Sequence, residues 1–323
     1  MPTRNKPITA ARALYIKLGA GNCWAQTAFD SNRLLLGFDD IPHQMALSAA
    51  NTGDFRPIKN FYEKKGTVTP GTATRHSNEI REFYTAGADV LWITFFNGRM
   101  WWCFADTEVT ATPDANSQTT SSRHRKTTGG RGWTNKDING QPLLIDALPG
   151  SLTSTAGFRG TICRVREFDY LLRRLNSEET KEAKVVRTAH DNLVDGLKPL
   201  IRSLGWKDFE LLVELVMTQS GFRRVSATGG SKQHKTDIVL ELPFTGKRAV
   251  VQVKSVLDQA TLEKIAPDLI ETAGDARVFV VHHNQSDRPL SFDPEVITLI
   301  GTEELAKHVI NLGLTNWLME KVA

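Results

Sequence analysis

Thr236-Asp237-Ile238-Val239-Leu240-Glu241-Leu242-Pro243-Phe244-Thr245-Gly246-Lys247-Arg248-Ala249-Val250-Val251-Gln252-Val253-Lys254-Ser255 decides how the C-terminal part of the chain folds. Two β-branched runs flank a five-residue turn, Pro243 to Lys247, and this spacing predicts an antiparallel strand pair. On the second strand side chains alternate between faces. Ala249, Val251 and Val253 point toward a core, and Val250, Gln252 and Lys254 point the other way. A Gln and a Lys on one face of an apolar strand are costly unless something polar meets them. Asp237 opens the first strand, and antiparallel pairing brings it across from Gln252 and Lys254.

A carboxylate, an amide oxygen and an ammonium on adjacent strands can hold a hard cation and a phosphate. Mg²⁺ takes oxygen ligands and keeps several waters. Asp237 supplies the anionic oxygen, and the Gln252 side-chain carbonyl and the Val253 backbone carbonyl add neutral ones. A divalent cation acidifies bound water for attack on phosphorus, and Lys254 orients that water or stabilises the developing charge. Glu210, on the helix around Lys207 to Glu214, completes the shell, with Glu214 one turn on as its rival. The structural alternative is a polar pair on an ordinary sheet rim.

Outward from this pair, helix and strand alternate. Trp206–Ser220 reads as a helix ended by Gly221. Leu257–Ala273 is a helix, Arg277–His282 and Val296–Ile300 are strands, and Thr302–Leu312 is a helix, an α/β order. Residues 167–200 read as a charged helical linker, with Glu178 to Lys184 alternating in sign.

Asp237, Gln252-Val253-Lys254, the upstream Phe209-Glu210, Ser220-Gly221-Phe222 after the helix, and Thr228-Gly229-Gly230-Ser231 resemble the Mrr-type branch of the PD-(D/E)xK nucleases. The resemblance covers residues 200–323. It implies a restriction-endonuclease-like fold and Mg²⁺-dependent hydrolysis of DNA phosphodiesters. By position Asp237 binds metal, Gln252 stands at the second acid, Lys254 is catalytic and Glu210 is the helix acid. His234-Lys235 departs from relatives with glycines before the Asp.

The rest of the chain differs in character. Of its 323 residues, 1–166 hold 20 Lys+Arg and 13 Asp+Glu, a net +7, against −3 for the remainder. A basic half suits a polyanion, since neutralising phosphates releases counterions. Ala13–Leu18 and Leu34–Phe38 read as strands. Val90–Phe96 and Arg99–Phe104 read as a hairpin through Asn97-Gly98, whose positive φ angles a type I′ turn needs. Gly160–Val165 reads as a closing strand, and Ser77–Ala86 as a helix capped by Ser77. Asp114–Thr134, with Arg123, Arg125, Lys126, Arg131 and Trp133, reads as a loop, either solvated or ordering on a nucleic-acid backbone.

Its tryptophans and the Lys17 to Trp24 turn are similar to the PUA-like group that includes EVE, ASCH and YTH domains. That resemblance implies a β-barrel with short helices whose pocket takes a flipped, often modified base. Trp24 and Trp92 are the candidate pocket walls, and Asn22 and Asn97 the edge readers. Trp101 and Trp102, adjacent on a strand, face opposite ways.

The fold expected is therefore α+β in two domains: 1–166 a PUA/EVE-like reader, 167–200 a linker, and 201–323 the nuclease. The function expected is a modification-dependent type IV restriction endonuclease acting as a homodimer on double-stranded DNA, with cytosine the expected carrier of the modification. A nuclease reading unmodified nucleic acid and an inactive DNA-binding protein are the alternatives. No stretch nears ~18 apolar residues and residues 1–6 lead into no secretory core, so a cytoplasmic location without membrane contact is expected. Cys23, Cys103 and Cys163 lie far apart, without the local pairs of a structural zinc site, and are expected to be buried thiols. The chain has no GxxxxGK[ST] and so no built-in NTP-driven motor.

Overall fold

The computed structural model describes residues 6–112, 121–130, 132–225, 237–285 and 289–323. Arg131, Thr228 to Ser231 and His234-Lys235 lie outside the described residues. The chain forms two compact units, Met1–Glu179 and Thr180–Ala323. The segment read as a linker is divided between them.

The first unit runs β1 (Arg12–Ile16), α1 (Ala25–Ser31), β2 (Arg33–Leu36), α2 (His43–Thr52), α3 (Arg56–Lys65), α4 (Pro70–Thr85), β3 (Val90–Phe96), β4 (Arg99–Ala105), β5 (Thr110–Ala111), β6 (Arg123–Thr128), α5 (Gly150–Thr153), β7 (Ile162–Arg164) and α6 (Phe168–Leu175). Its strands form one mixed sheet in the order β2-β6-β4-β3-β1-β7, with β5 beside β6. β1 and β3 are parallel, and the crossover between them carries α1 to α4. β7 lies on the edge against β1, and among the described residues no ladder joins it to β2 at the other end. A closed barrel is therefore not formed by these residues.

Alternation along the strands buries both faces. Leu14, Ile16, Trp92 and Cys103 belong to the core that also holds Ala28, Ile58 and Phe83 of α1, α3 and α4. Tyr15, Leu91, Ile93 and Trp102 face the opposite core with Leu171 and Leu175 of α6. The helix expected from Ser77 starts about two turns earlier, at Pro70. Thr69 is its cap, accepting from the Thr72 N–H, and Pro70 fits its first turn. Ser77 is instead buried mid-helix and donates to the Phe55 carbonyl at 3.0 Å. Of the three thiols expected inside, Cys103 is buried, Cys163 half-buried and Cys23 exposed.

The largest departure is β6. Arg123 to Thr128 is an interior strand between β2 and β4, not a loop, and Arg123 and Arg125 are buried. Arg125 donates to Phe83 O at 3.0 Å and Ala86 O at 2.9 Å, the carbonyl end of α4, and also to Asp106 O. Arg123 donates to Phe38 O and Ile41 O, both at 2.9 Å. Backbone acceptors left bare by a helix end and a turn need donors, and the guanidinium forks reach them. Trp133 is likewise buried, its indole N–H donating to Arg33 O at 2.9 Å.

The second unit runs α7 (Lys181–Ser203), α8 (Trp206–Gln219), β8 (Arg223–Arg224), β9 (Ile238–Glu241), β10 (Arg248–Leu257), α9 (Gln259–Ala273), β11 (Arg277–Gln285), β12 (Ile297–Ile300), α10 (Thr302–Asn311) and α11 (Thr315–Val322). The sheet order is β12-β11-β10-β9-β8, with β10 in the middle. Ala249 and Val251 pack with Phe209, Leu212 and Val213 of α8 and with Leu197 and Ile201 of α7. Val250 and Val280 pack with Leu262, Ala266 and Leu269 of α9. The sheet is thus covered on both faces, as β10 and β11, two parallel neighbours, require. Only the C-terminal half of α7 is buried, at Val194, Leu197 and Ile201. Among the described residues no helix is long and apolar enough to cross a membrane.

The buried guanidinium of Arg125 should matter for stability rather than for ligand contact. Burial pushes its pKa down to about 10, which still leaves it charged at neutral pH. Arg125→Met leaves backbone carbonyls without donors, at roughly 1–3 kcal/mol for each. The first unit should then melt on the order of 10 °C lower, at about 2–4 °C per kcal/mol. Calorimetry checks this, and an unchanged Tm would refute the structural role.

Candidate active site

The site of the second unit grows from the register of β9 and β10. Ile238 pairs with Val251, and the Asp237 N–H donates to the Val251 carbonyl at 3.1 Å. Asp237 therefore stands opposite Gln252, where β9 begins. Its carboxylate accepts from the Val253 N–H at 2.6 Å and from the Gln252 side-chain amide. The side chain thus satisfies a β10 donor at the point where the ladder with β9 runs out. Packing around the carboxyl group raises the Asp237 pKa, while the Val253 N–H and the Lys254 charge oppose the rise.

Glu210 arrives from α8. The apolar stripe Phe209, Leu212, Val213 and Val216 seats this helix on the sheet and leaves Glu210 half-buried on its flank. Desolvation, and then the negative charge of Asp237, push the Glu210 pKa up, with Arg224 pulling it back. Glu210 therefore lies in the field of Asp237. Glu214, the rival, is ion-paired with Arg224. Lys254 is half-buried on the Gln252 face and is registered against His282 of β11. The structure thus brings Asp237, Gln252, Lys254 and Glu210 together.

These residues fit a divalent cation of the Mg²⁺ type, which is usually held by one or two carboxylates with waters and substrate phosphate completing its shell. Two carboxylates whose ionisation burial disfavours, that of Glu210 lying also in the field of Asp237, are the observation that carries the fit. Among the described residues no cluster of three His, Cys, Asp or Glu forms a fuller cage. One expected ligand needs adjustment. Gln252 presents its amide nitrogen, not its oxygen, to Asp237, so its carbonyl serves a cation only with the amide turned over. His282 was not foreseen. It is 4% exposed, its Nδ1 has no partner, and it faces the Lys254 side of the sheet. A His beside the position facing Lys254 was the available signal, but the run Arg277 to His282 reads as plain core strand.

The first unit holds a separate recess. Trp24 lines a cavity of about 430 Å³ with Phe38, Asp39, Tyr62 and His76. Gly19 and Gly37 lie against the indole, and a Cβ built there would sit 2.7 and 3.1 Å from its ring. Trp92, the other expected wall, is fully buried, with the Phe83 ring and the Arg125 guanidinium about 6 Å from its own. Asn22 spends its amide on the backbone, accepting from Leu18 N–H and donating to Phe95 O, both at 2.8 Å. Asn97 is exposed at the hairpin tip with φ 47°, as its turn requires. Arg123 and Arg125 are interior, Lys126 is exposed, and Arg131 is outside the described residues. Of the expected base-reading residues, Trp24 lines this recess.

Residues 201–286 match the Mrr catalytic family, described as a restriction endonuclease. The second unit therefore carries a restriction endonuclease domain. A solved structure of protein VC1899 from Vibrio cholerae is 15% identical, over 53% of this chain and 42% of that one, with a TM-score of 0.21. The MspJI restriction endonuclease in complex with a 27-mer oligonucleotide is 15% identical, over 77% of this chain and 69% of that one, with a TM-score of 0.26. At these scores neither likeness bears on the assignments below, and the chain spans less than half the length of the Vibrio protein. No curated protein matches.

The raised carboxylate pKa values have a stability consequence. Ionising Asp237 costs more in the folded chain than in the unfolded one. Its favourable contribution is complete below the ordinary carboxylate range and is lost as pH rises through the raised value. Without metal, Asp237→Asn should therefore match wild type near pH ~3.5 and melt a few degrees higher near pH ~7. Added Mg²⁺ should raise the Tm of wild type and not of the variant. A variant that melts below wild type at both pH values would contradict the assigned environment.

Proposed function

We propose that the chain is a modification-dependent DNA endonuclease. In this reading the C-terminal unit hydrolyses phosphodiester bonds with Mg²⁺ and the N-terminal unit reads a modified, flipped base. The register that sets Asp237 opposite Gln252, with Lys254 beside it and Glu210 within its field, is the observation that carries the reading. It coincides with the restriction endonuclease match over residues 201–286.

Asp237 and Glu210 would hold the cation, and Gln252 would join them with its amide oxygen turned inward. The cation, when bound, supplies Lewis-acid stabilisation and a more acidic water. Asp237 is kept in place by the Val253 N–H, so its carboxylate needs no reorganisation as substrate arrives. The Lys254 ammonium stabilises the negative charge that grows on the phosphoryl oxygens. Base reading is assigned to the Trp24 cavity, where aromatic side chains stack a base removed from the duplex. Cutting both strands requires two copies of the site, so a homodimer on DNA belongs to the proposal.

Lys254→Ala should lower cleavage by at least ~10²-fold, the scale of losing one charge-stabilising group, while DNA binding in a gel-shift titration stays at wild-type strength. Full cleavage by that variant would remove the assigned site. Wild-type protein with Mg²⁺ should cut modified DNA in preference to the same unmodified sequence. Equal cutting would favour a general nuclease, and the absence of cutting a binding-only protein.

A further inference from the structure

The first turn of α8 leaves one large apolar side chain in water. All seven tryptophans of the chain lie within the described residues, and Trp206 is the exposed one, at 60%. It belongs to none of the hydrophobic cores. Its place is set by the buried residues of the same helix. Phe209 stacks on the His283 ring, with centroids 4.1 Å apart. His283 follows His282, the residue registered against Lys254. The start of α8 therefore lies over the end of the sheet where Lys254 stands. Trp206 precedes Glu210 by four residues, which puts both on one flank of the helix. The two positions are about 6 Å apart along the helix axis.

The free charges beside the ring are of one sign. The Lys207 ammonium lies over it, 5.3 Å from the ring centroid. Arg202, in the last turn of α7, is exposed four residues before Trp206. Among the described residues neither cation forms an ion pair. The acid of the first turn, Asp208, is taken by the Lys321 ammonium at 3.1 Å. A surface that docks another protein is a contiguous apolar patch. Here a single ring stands with Arg202, Ser203, Gly205 and Lys207, all exposed. A ring with unpaired cations beside it suits a nucleic-acid strand, the ring against a sugar or base and the cations against phosphates.

We infer that Trp206 is a DNA contact of the cutting unit, its ring packing on the nucleotide next to the phosphodiester that is hydrolysed, with Lys207 and Arg202 on the flanking phosphates. The inference rests on the nuclease reading above and adds to it the residue that grips the strand. Because the ring and Glu210 share one helix, a strand packed on the ring is held at a fixed distance from the carboxylates. The contact is blind to sequence, since every nucleotide offers an apolar face and a phosphate.

The test uses the full chain on a modified duplex and on an unmodified duplex of the same sequence. Without metal, Trp206→Ala should weaken binding of both duplexes by the same factor, roughly five- to a hundredfold, the scale of one aromatic contact to a base. With Mg²⁺, the DNA concentration for half-maximal cleavage should rise to match. The rate at saturating DNA should change by less than about threefold, because the ring holds substrate and transition state alike. Trp206→Phe should restore binding to within about threefold of wild type. Lys207→Ala should lower the slope of log affinity against log salt by about one, and Trp206→Ala should leave that slope unchanged. Wild-type affinity in Trp206→Ala would overturn the inference and leave the nuclease reading standing. A loss of affinity accompanied by a lower Tm or a changed oligomeric mass would also overturn it, since the ring would then serve a protein contact. Failure of the wild type to cut either duplex with Mg²⁺ would overturn the nuclease reading and the inference with it.

Discussion

One short hydrogen bond, from the Val253 N–H to the Asp237 carboxylate, organises the chemistry of the second unit. It forms where the β9–β10 ladder ends, so a side chain takes over from the main chain at the last donor. The bond fixes a carboxylate at the rim of a sheet whose centre is sealed on both faces. Because β10 is the middle strand, Gln252 and Lys254 cannot move without disturbing two cores. The polar group that burial would otherwise penalise is therefore held by the parts of the protein least able to yield.

The electrostatics follow from that placement. Asp237 and Glu210 come from a strand and a helix that were independently committed to the core, one by its register and the other by its apolar stripe. Their carboxylates meet as a by-product of packing. Each is less acidic than in water, and the nearby positive charges of Lys254 and Arg224 reduce the penalty without removing it. Two partly buried carboxylates with a lysine and an arginine beside them set the electrostatic character of this edge of the sheet.

Much of the second unit was legible because its signals are local. The turn from Pro243 to Lys247 sets the β9–β10 register, and alternation from Ala249 to Lys254 assigns faces. α8, α9, β11, β12 and α10 all lie within a few residues of where periodicity puts them. The tail helix α11 and the partner of Glu214 were not legible, since each depends on distant packing. The first unit was harder. The Asn97-Gly98 hairpin announces itself, but Ser122 to Trp133 has the composition of a loop, and Arg123–Thr128 within it folds as an interior strand. What makes it a strand is the presence of bare carbonyls on α4 and on the turn after β2, some forty and eighty residues earlier in sequence. Composition does not record such distant acceptors, so Arg123 and Arg125 read as surface cations. Trp24 and Trp92 look alike in sequence, and only the fold distinguishes a wall from a core.

The recess beside Trp24 owes its depth to two missing side chains. Gly19 also adopts a positive φ of 81°, a conformation that any other residue would resist. At Gly37 no such backbone demand exists, and an added methyl would press on the far edge of the indole. A single codon change there would make the chamber shallower without any demand on the backbone. Position 37 is thus a dial on the depth of the recess.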